Sequence, residues 1–178
     1  MNFGFDLDGV FVSLPPFLPA WIIESLYRDR DHTKLTYRMP GNLEQKIRKL
    51  SHIPLFRPPL KRNITFLKSF AKQNKYNLYL ISSRFGFLNS ISYSILKRYG
   101  LEKIFHRVYF NTNNKQPHIF KDEIIKKLKI RYFVDDDLYL LKYLAQHNKT
   151  TTFYWFNSKT EGKIGENLIA ITNLEQIL

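Results

Sequence analysis

From Tyr76 onward, apolar runs of strand length alternate with segments whose apolar residues recur at helical spacing. This alternation constrains the fold more than any other feature of the chain. The runs are "YNLYLIS" (Tyr76 to Ser82), "HRVYFN" (His106 to Asn111), "RYFVD" (Arg131 to Asp135) and "TTFYWF" (Thr151 to Phe156), with "NLIAIT" last and "NFGFD" at the front. Several are apolar nearly throughout, as strands covered on both faces are. Between them, Leu60, Ile64, Leu67 and Ala71 form one helical stripe, after Pro58 and Pro59 in its expected first turn. Leu88, Ile91 and Ile95 form a second, closed by Gly100 at a C-cap. Ile124, Ile125 and Leu128 make a third, and Leu138, Leu141 and Leu144 a fourth. Strands that alternate with helices pair in parallel through right-handed crossovers, so the fold class is α/β, a three-layer, doubly wound (Rossmann-like) sheet.

One interval breaks the rhythm. Residues 13–56 hold no clear strand, and helices are predicted at Pro19–Tyr27 and Asn42–Ser51, the second opened by Asn42 and Gln45 placed like a capping box. "MPGN" and "IPLFRPP" punctuate the interval as turns. The expected organisation is a core of residues 1–12 and 57–178 with a small helical insertion, 13–56, over the carboxyl ends of the strands, where open α/β sheets bind ligands.

The chemistry gathers at those ends. "FDLDGV" places Asp6 and Asp8 two residues apart, on one face if the chain stays extended. Two buried like charges repel unless a cation or proton sits between them, whereas a strand ending in an Asp-Gly turn would face both acids to solvent. The second strand ends in Ser82-Ser83-Arg84, Lys121 opens the helix before the fourth strand, and that strand ends in Asp135-Asp136-Asp137. Acids, a hydroxyl, a lysine and more acids suit metal-assisted phosphoryl transfer. Carboxylates hold a hard divalent cation, one can attack phosphorus, and the hydroxyl and ammonium neutralise the transferring oxygens.

In these motifs the chain resembles the haloacid dehalogenase (HAD) superfamily of phosphohydrolases. "FDLDGV" fits its first motif in the valine variant, "LYLISS" its second, Lys121 its third and "YFVDD" its fourth, in order from Asn2 to about Leu144. The resemblance implies a Mg2+-dependent phosphatase acting through an aspartyl-phosphate. Asp6 would be nucleophile and metal ligand, and Asp8 general acid/base and, through its backbone carbonyl, a metal ligand. Ser82 would bind the phosphoryl group, Lys121 would pair with it and with the nucleophile, and Asp135 and Asp136 would complete the metal site. An acid at position 8 favours phosphatase chemistry over carbon–halogen chemistry. The insertion resembles the small helical cap that many relatives place after the first motif.

Around these assignments the residues leave choices. Ser83 could fill the role of Ser82, and Lys115 is the rival of Lys121. Arg84 either meets substrate anions or is solvated, and Asp137 is read as an N-cap. His52, His106, His118 and His147 show no metal-ligand spacing, His32 lies in the insertion, and "FYWF" is read as a buried strand rather than a base-stacking platform.

Composition narrows the partners. A 44% hydrophobic and 16% aromatic content in 178 residues supports a packed core. The absence of cysteine excludes thiolate metal sites and a cysteine nucleophile. With no signal-peptide pattern and no membrane-length apolar run, a cytoplasmic location and no membrane partner are expected. The 28 Lys and Arg against 15 Asp and Glu give a net charge of +13, which draws anions. The basic residues are scattered, so a small phosphorylated metabolite or nucleotide is favoured over nucleic acid. The alternatives are a nucleic-acid end phosphatase and a non-catalytic binding or regulatory protein on the same fold. A receiver domain carries similar residues in a different order along the strands.

Overall fold

Alternation of side chains along each strand sets the layers. In the second strand, β2 (Asn77–Phe85), Leu78 and Leu80 enter one apolar cluster while Tyr79 and Ile81 enter another. The same two clusters divide Phe3 and Phe5 of β1 (Asn2–Phe5) and Val134 of β4 (Tyr132–Asp135) from Phe133. These positions belong to a computed structural model that describes residues 1–13, 35, 39–157 and 159–177. The remaining strands are β3 (Arg107–Asn111), β5 (Thr152–Phe156), β6 (Gly162–Lys163) and β7 (Leu168–Ile171).

Helices cover both faces. The first cluster is closed by Ile64, Leu67 and Phe70 of α2 (Lys61–Lys72) and by Ile95 and Leu96 of α3 (Asn89–Arg98). The second is closed by Phe120 and Ile125 of α4 (Pro117–Leu128) and by Leu140, Leu141 and Leu144 of α5 (Leu138–His147). α1 (Asn42–Ser51) precedes them. Among the described residues the sheet has seven strands in the order β3-β2-β1-β4-β5-β7-β6, parallel except for β6 against β7. The chain leaves β1 for β2 on one side and returns to β4 on the other. The carboxyl ends of β1, β2 and β4 therefore frame the crevice at a topological switch point. The α/β reading holds.

Past Phe5 the backbone turns tightly, with Phe11 and Val12 amides donating to the Leu7 carbonyl and the Gly9 amide to that of Val12. Gly9 has φ +69°, where a side chain is strained. The insertion then departs and rejoins side by side. The Ser13 amide donates to Pro58 O and the Leu60 amide to Phe11 O, both at 2.9 Å, with Val12 bridged to Pro59.

Local expectations fare unevenly. Gly100 sits at φ +66° just past α3, and the Asp137 carboxylate accepts from the Tyr139 and Leu140 amides as the N-cap of α5. Pro58 and Pro59 are not in the first turn of α2. They precede it, because Pro59 pairs with Val12 at the insertion junction. The capping box of Asn42 and Gln45 does not form. Gly41 occupies the N-cap without a side-chain bond, and the Gln45 amide group donates to Pro40 O instead. Lys121 lies one turn inside α4, which starts at Pro117. The helix expected over Pro19–Tyr27, like His32, lies outside the described residues.

Candidate active site

Asp6 is the first residue beyond β1, and its amide donates to Val134 O of β4 at 2.9 Å, which fixes it between the flanking strands. Asp135 ends β4 and Asp136 follows. Lys121 reaches in from α4. Its Nζ donates to Asp6 Oδ1 at 2.8 Å and to Asp135 Oδ2 at 2.6 Å, with all three side chains buried. One ammonium thus bridges two carboxylates from different strands. Lys115 forms an exposed ion pair with Glu123, so of the two lysines it is Lys121 that enters the crevice.

Asp6, Asp135 and Asp136 each present an oxygen within 4.8 Å of the others'. Burial, reinforced by Asp135 and Asp8 against the pull of Lys121, pushes Asp6 up to about 7. Burial raises Asp135 as well, although Lys121 opposes it. Asp136 is carried well above the usual carboxylate range by burial and by the charges of Asp135, Asp6 and Asp8. Burial opposes the charge on Lys121, but Asp135 and Asp6 outweigh it and hold the ammonium above its usual range. Three crowded acids against one lysine are held toward their protonated forms, and once deprotonated an all-oxygen donor set of this kind fits a hard cation such as Mg2+.

The adjoining strand supplies hydroxyls. Ser82 Oγ and Ser83 Oγ are buried and have no hydrogen-bond partner among the described residues. A buried hydroxyl without a partner costs about 1–3 kcal/mol, which a phosphoryl oxygen accepting from it would relieve. Either serine meets this condition, and only Ser82 belongs to the buried class.

Asp8 is turned to a separate network. Arg84 grips it with Nε to Oδ2 and Nη2 to Oδ1, both at 2.7 Å, and Arg57 Nη1 adds a bond to Oδ1 at 3.1 Å. Burial would raise the Asp8 pKa, but Arg84 and Arg57 hold it well below the carboxylate range. Arg84 also donates to Ser92 Oγ, and Arg57 Nη2 lies 3.0 Å from His52 Nε2. Burial and the nearby guanidinium charges push His52 down to about 3. It is therefore neutral, accepting from Arg57 through Nε2 and donating from Nδ1 to Arg48 O.

Two of the residues singled out in the sequence engage each other. Asp8 is a carboxylate held through both oxygens in this structure. Arg84, expected either at substrate anions or in solvent, is buried and uses its planar fork on Asp8. Arg57 escapes a sequence reading. It stands in "RPPLKR" among many basic residues, and only the return of the chain beside Val12 brings it to Asp8. His52 is buried, His106 and His147 are exposed, and "FYWF" forms β5 with Phe153 and Tyr154 buried.

Neither a family model nor a curated protein matches the sequence. Solved structures do. A dehalogenase with an intermediate complex superposes with a TM-score of 0.65 at 11% identity, over 99% of this chain and 94% of that one. A HAD family enzyme from Bacteroides thetaiotaomicron, an aspartate-to-alanine variant in complex with magnesium and inorganic phosphate, gives 0.55 at 15% identity, over 90% and 95%. The Pnkp1/Rnl/Hen1 RNA repair complex gives 0.56 at 15% identity over 88% of this chain, which spans only 42% of that larger chain. Together with the order of the sheet, these likenesses establish that the chain has the haloacid dehalogenase-like fold.

Proposed function

We propose that the protein is a Mg2+-dependent phosphomonoester hydrolase that works through an aspartyl-phosphate on Asp6, with a small phosphorylated metabolite or nucleotide as substrate. The observation that carries this reading is Lys121 bridging Asp6 and Asp135 beside Asp136, with the unpartnered Ser82 hydroxyl on the adjoining strand. An Asp6 oxygen attacks phosphorus as the bond to the leaving oxygen breaks, and the leaving oxygen takes a proton. Water then attacks the phosphoenzyme, the bond to Asp6 breaks, and inorganic phosphate departs. Ser82 donates to the phosphoryl group, and Lys121 orients Asp6 and balances charge on the transferring oxygens. Mg2+, held by Asp6, Asp135, Asp136 and the Asp8 carbonyl, would neutralise phosphoryl charge when bound.

Asp8 serves as proton shuttle in this scheme only after releasing its guanidinium partners. A phosphoryl dianion competes with Asp8 for Arg84. An Asp8 left without that partner in a buried site gains a proton more readily. Residues 13–56 act as a cap that closes over the crevice and excludes water, joined to the core where the Ser13 amide pairs with Pro58 O.

A second reading is favoured by the net charge of +13 and by the likeness to the RNA repair complex: a phosphatase acting on nucleic-acid ends. Phosphate release from an aryl phosphate, a metabolite panel, nucleoside monophosphates and end-phosphorylated oligonucleotides, with Mg2+ and with chelator, tests both. The first reading expects Mg2+-dependent release from small compounds. Release confined to oligonucleotides, with binding that weakens steeply as salt rises, would replace it with the second. No release from any compound would leave a binding protein on this fold.

A further inference from the structure

The three acids of the crevice are not held alike. Asp6 and Asp135 share Lys121, and Asp135 Oδ1 also accepts the Asp137 amide at 3.1 Å. Among the described residues, the Asp136 carboxylate accepts no hydrogen bond. It is nonetheless the acid most crowded by like charge, facing Asp135, Asp6 and Asp8. Repulsion would turn such a side chain away from the cluster unless its backbone and its packing were fixed.

Two contacts fix it. Trp155 donates its indole Nε1–H to the Asp136 carbonyl at 3.0 Å. The bond follows from register: β4 and β5 pair in parallel with Asp135 opposite Trp155, so the indole reaches the next carbonyl along. From the other side Gly9 packs against the carboxylate so closely that a Cβ there would lie 1.9 Å from Asp136 Oδ2. The acid is held between a donor on its carbonyl and a wall behind its carboxylate.

Resting on the metal-centre reading above, we propose that Trp155 is a positioning residue for the divalent cation: by anchoring the Asp136 carbonyl it aims the Asp136 carboxylate at Asp6 and Asp135 and sets the affinity for Mg2+. It touches no substrate and no reacting atom. Partners that orient metal ligands typically alter affinity by 10–100-fold when removed. A single backbone bond belongs at the lower end of that range. The same contact makes the indole a reporter of the Asp136 loop.

The test titrates Mg2+ alone into the full chain by calorimetry, comparing wild type with Trp155→Phe, which keeps the aromatic bulk and loses the donor. The expected result is about tenfold weaker Mg2+ binding, with turnover of an aryl phosphate restored at saturating Mg2+. A split between metal affinity and maximal rate is not what general loss of packing produces. A second measurement covers a variant that fails to fold. In Trp21→Phe, Trp155 is the remaining tryptophan of the two in the sequence. Its emission should shift with Mg2+ at the calorimetric midpoint and lose that response when Asp136→Asn is added. Equal Mg2+ affinity in wild type and Trp155→Phe, or a silent Trp155, overturns this inference alone. No Mg2+ binding by wild type overturns the metal-centre reading and this inference with it.

Discussion

At the scale of single residues, the crevice is an arrangement of charges that is unfavourable by itself. Three carboxylates gather around one lysine, and burial raises each of the acids. Breaking a buried pair such as Lys121 with Asp6 and Asp135 by removing one partner costs on the order of 3–5 kcal/mol, so the ammonium contributes to stability. The pH consequence is specific. Asp6 holds its proton up to about pH 7 in the metal-free chain, and a cation must displace that proton to bind. Mg2+ affinity should therefore rise with pH through the range around pH 7, about tenfold per unit for each displaced proton, and keep rising above it while Asp136 still holds its proton. Calorimetry across that range in buffers of different ionisation enthalpy measures both the affinity and the proton release. Affinity independent of pH would mean that Asp6 is already ionised.

At the scale of elements, the loop from Asp6 to Val12 decides whether the acids meet. Gly9 satisfies two demands there, a φ of +69° and the close approach of Asp136. Gly9→Ala should lose stability by roughly 1–3 kcal/mol. It should also weaken Mg2+ binding through displacement of Asp136, and thermal melts with and without Mg2+ read both effects. A variant as stable as wild type with an unchanged Mg2+ shift would show that the loop relaxes without moving the acid. Sequence pattern carried these elements well where chemistry is local to them. Near-continuous apolar runs marked β2 and β4, which are buried on both faces, and Asp137 announced the start of α5. The positions of Asp6 and Asp135 at their strand ends, with Lys121 on the helix before β4, were legible for the same reason, whereas Ser82 lies inside β2, which runs on to Phe85 past a shift in register. What stayed hidden depends on contacts between distant segments. The proline pair looked like a helix start but pairs with Val12, Arg57 meets Asp8 across 49 positions, and Trp155 reaches Asp136 only through the β4–β5 register.

At the scale of the whole molecule, the fold gathers the acids and Lys121 where a doubly wound sheet changes direction. Arg57, arriving at the end of the insertion, touches both His52 and Asp8. The same side chain therefore connects the end of α1 to the loop that follows β1. Among the described residues no helix is long and apolar enough to cross a membrane. The surplus of basic residues gives the whole surface an attraction for anionic substrates that weakens as salt rises. The proposed reaction turns on one atom pair, an Asp6 oxygen and the phosphorus it would attack. The most direct measurement is phosphate release from an aryl phosphate at saturating Mg2+, wild type against Asp6→Asn, with both proteins shown to be folded. The account expects the substitution to abolish turnover, by about 10⁴-fold or more. Equal rates in the two proteins would contradict it.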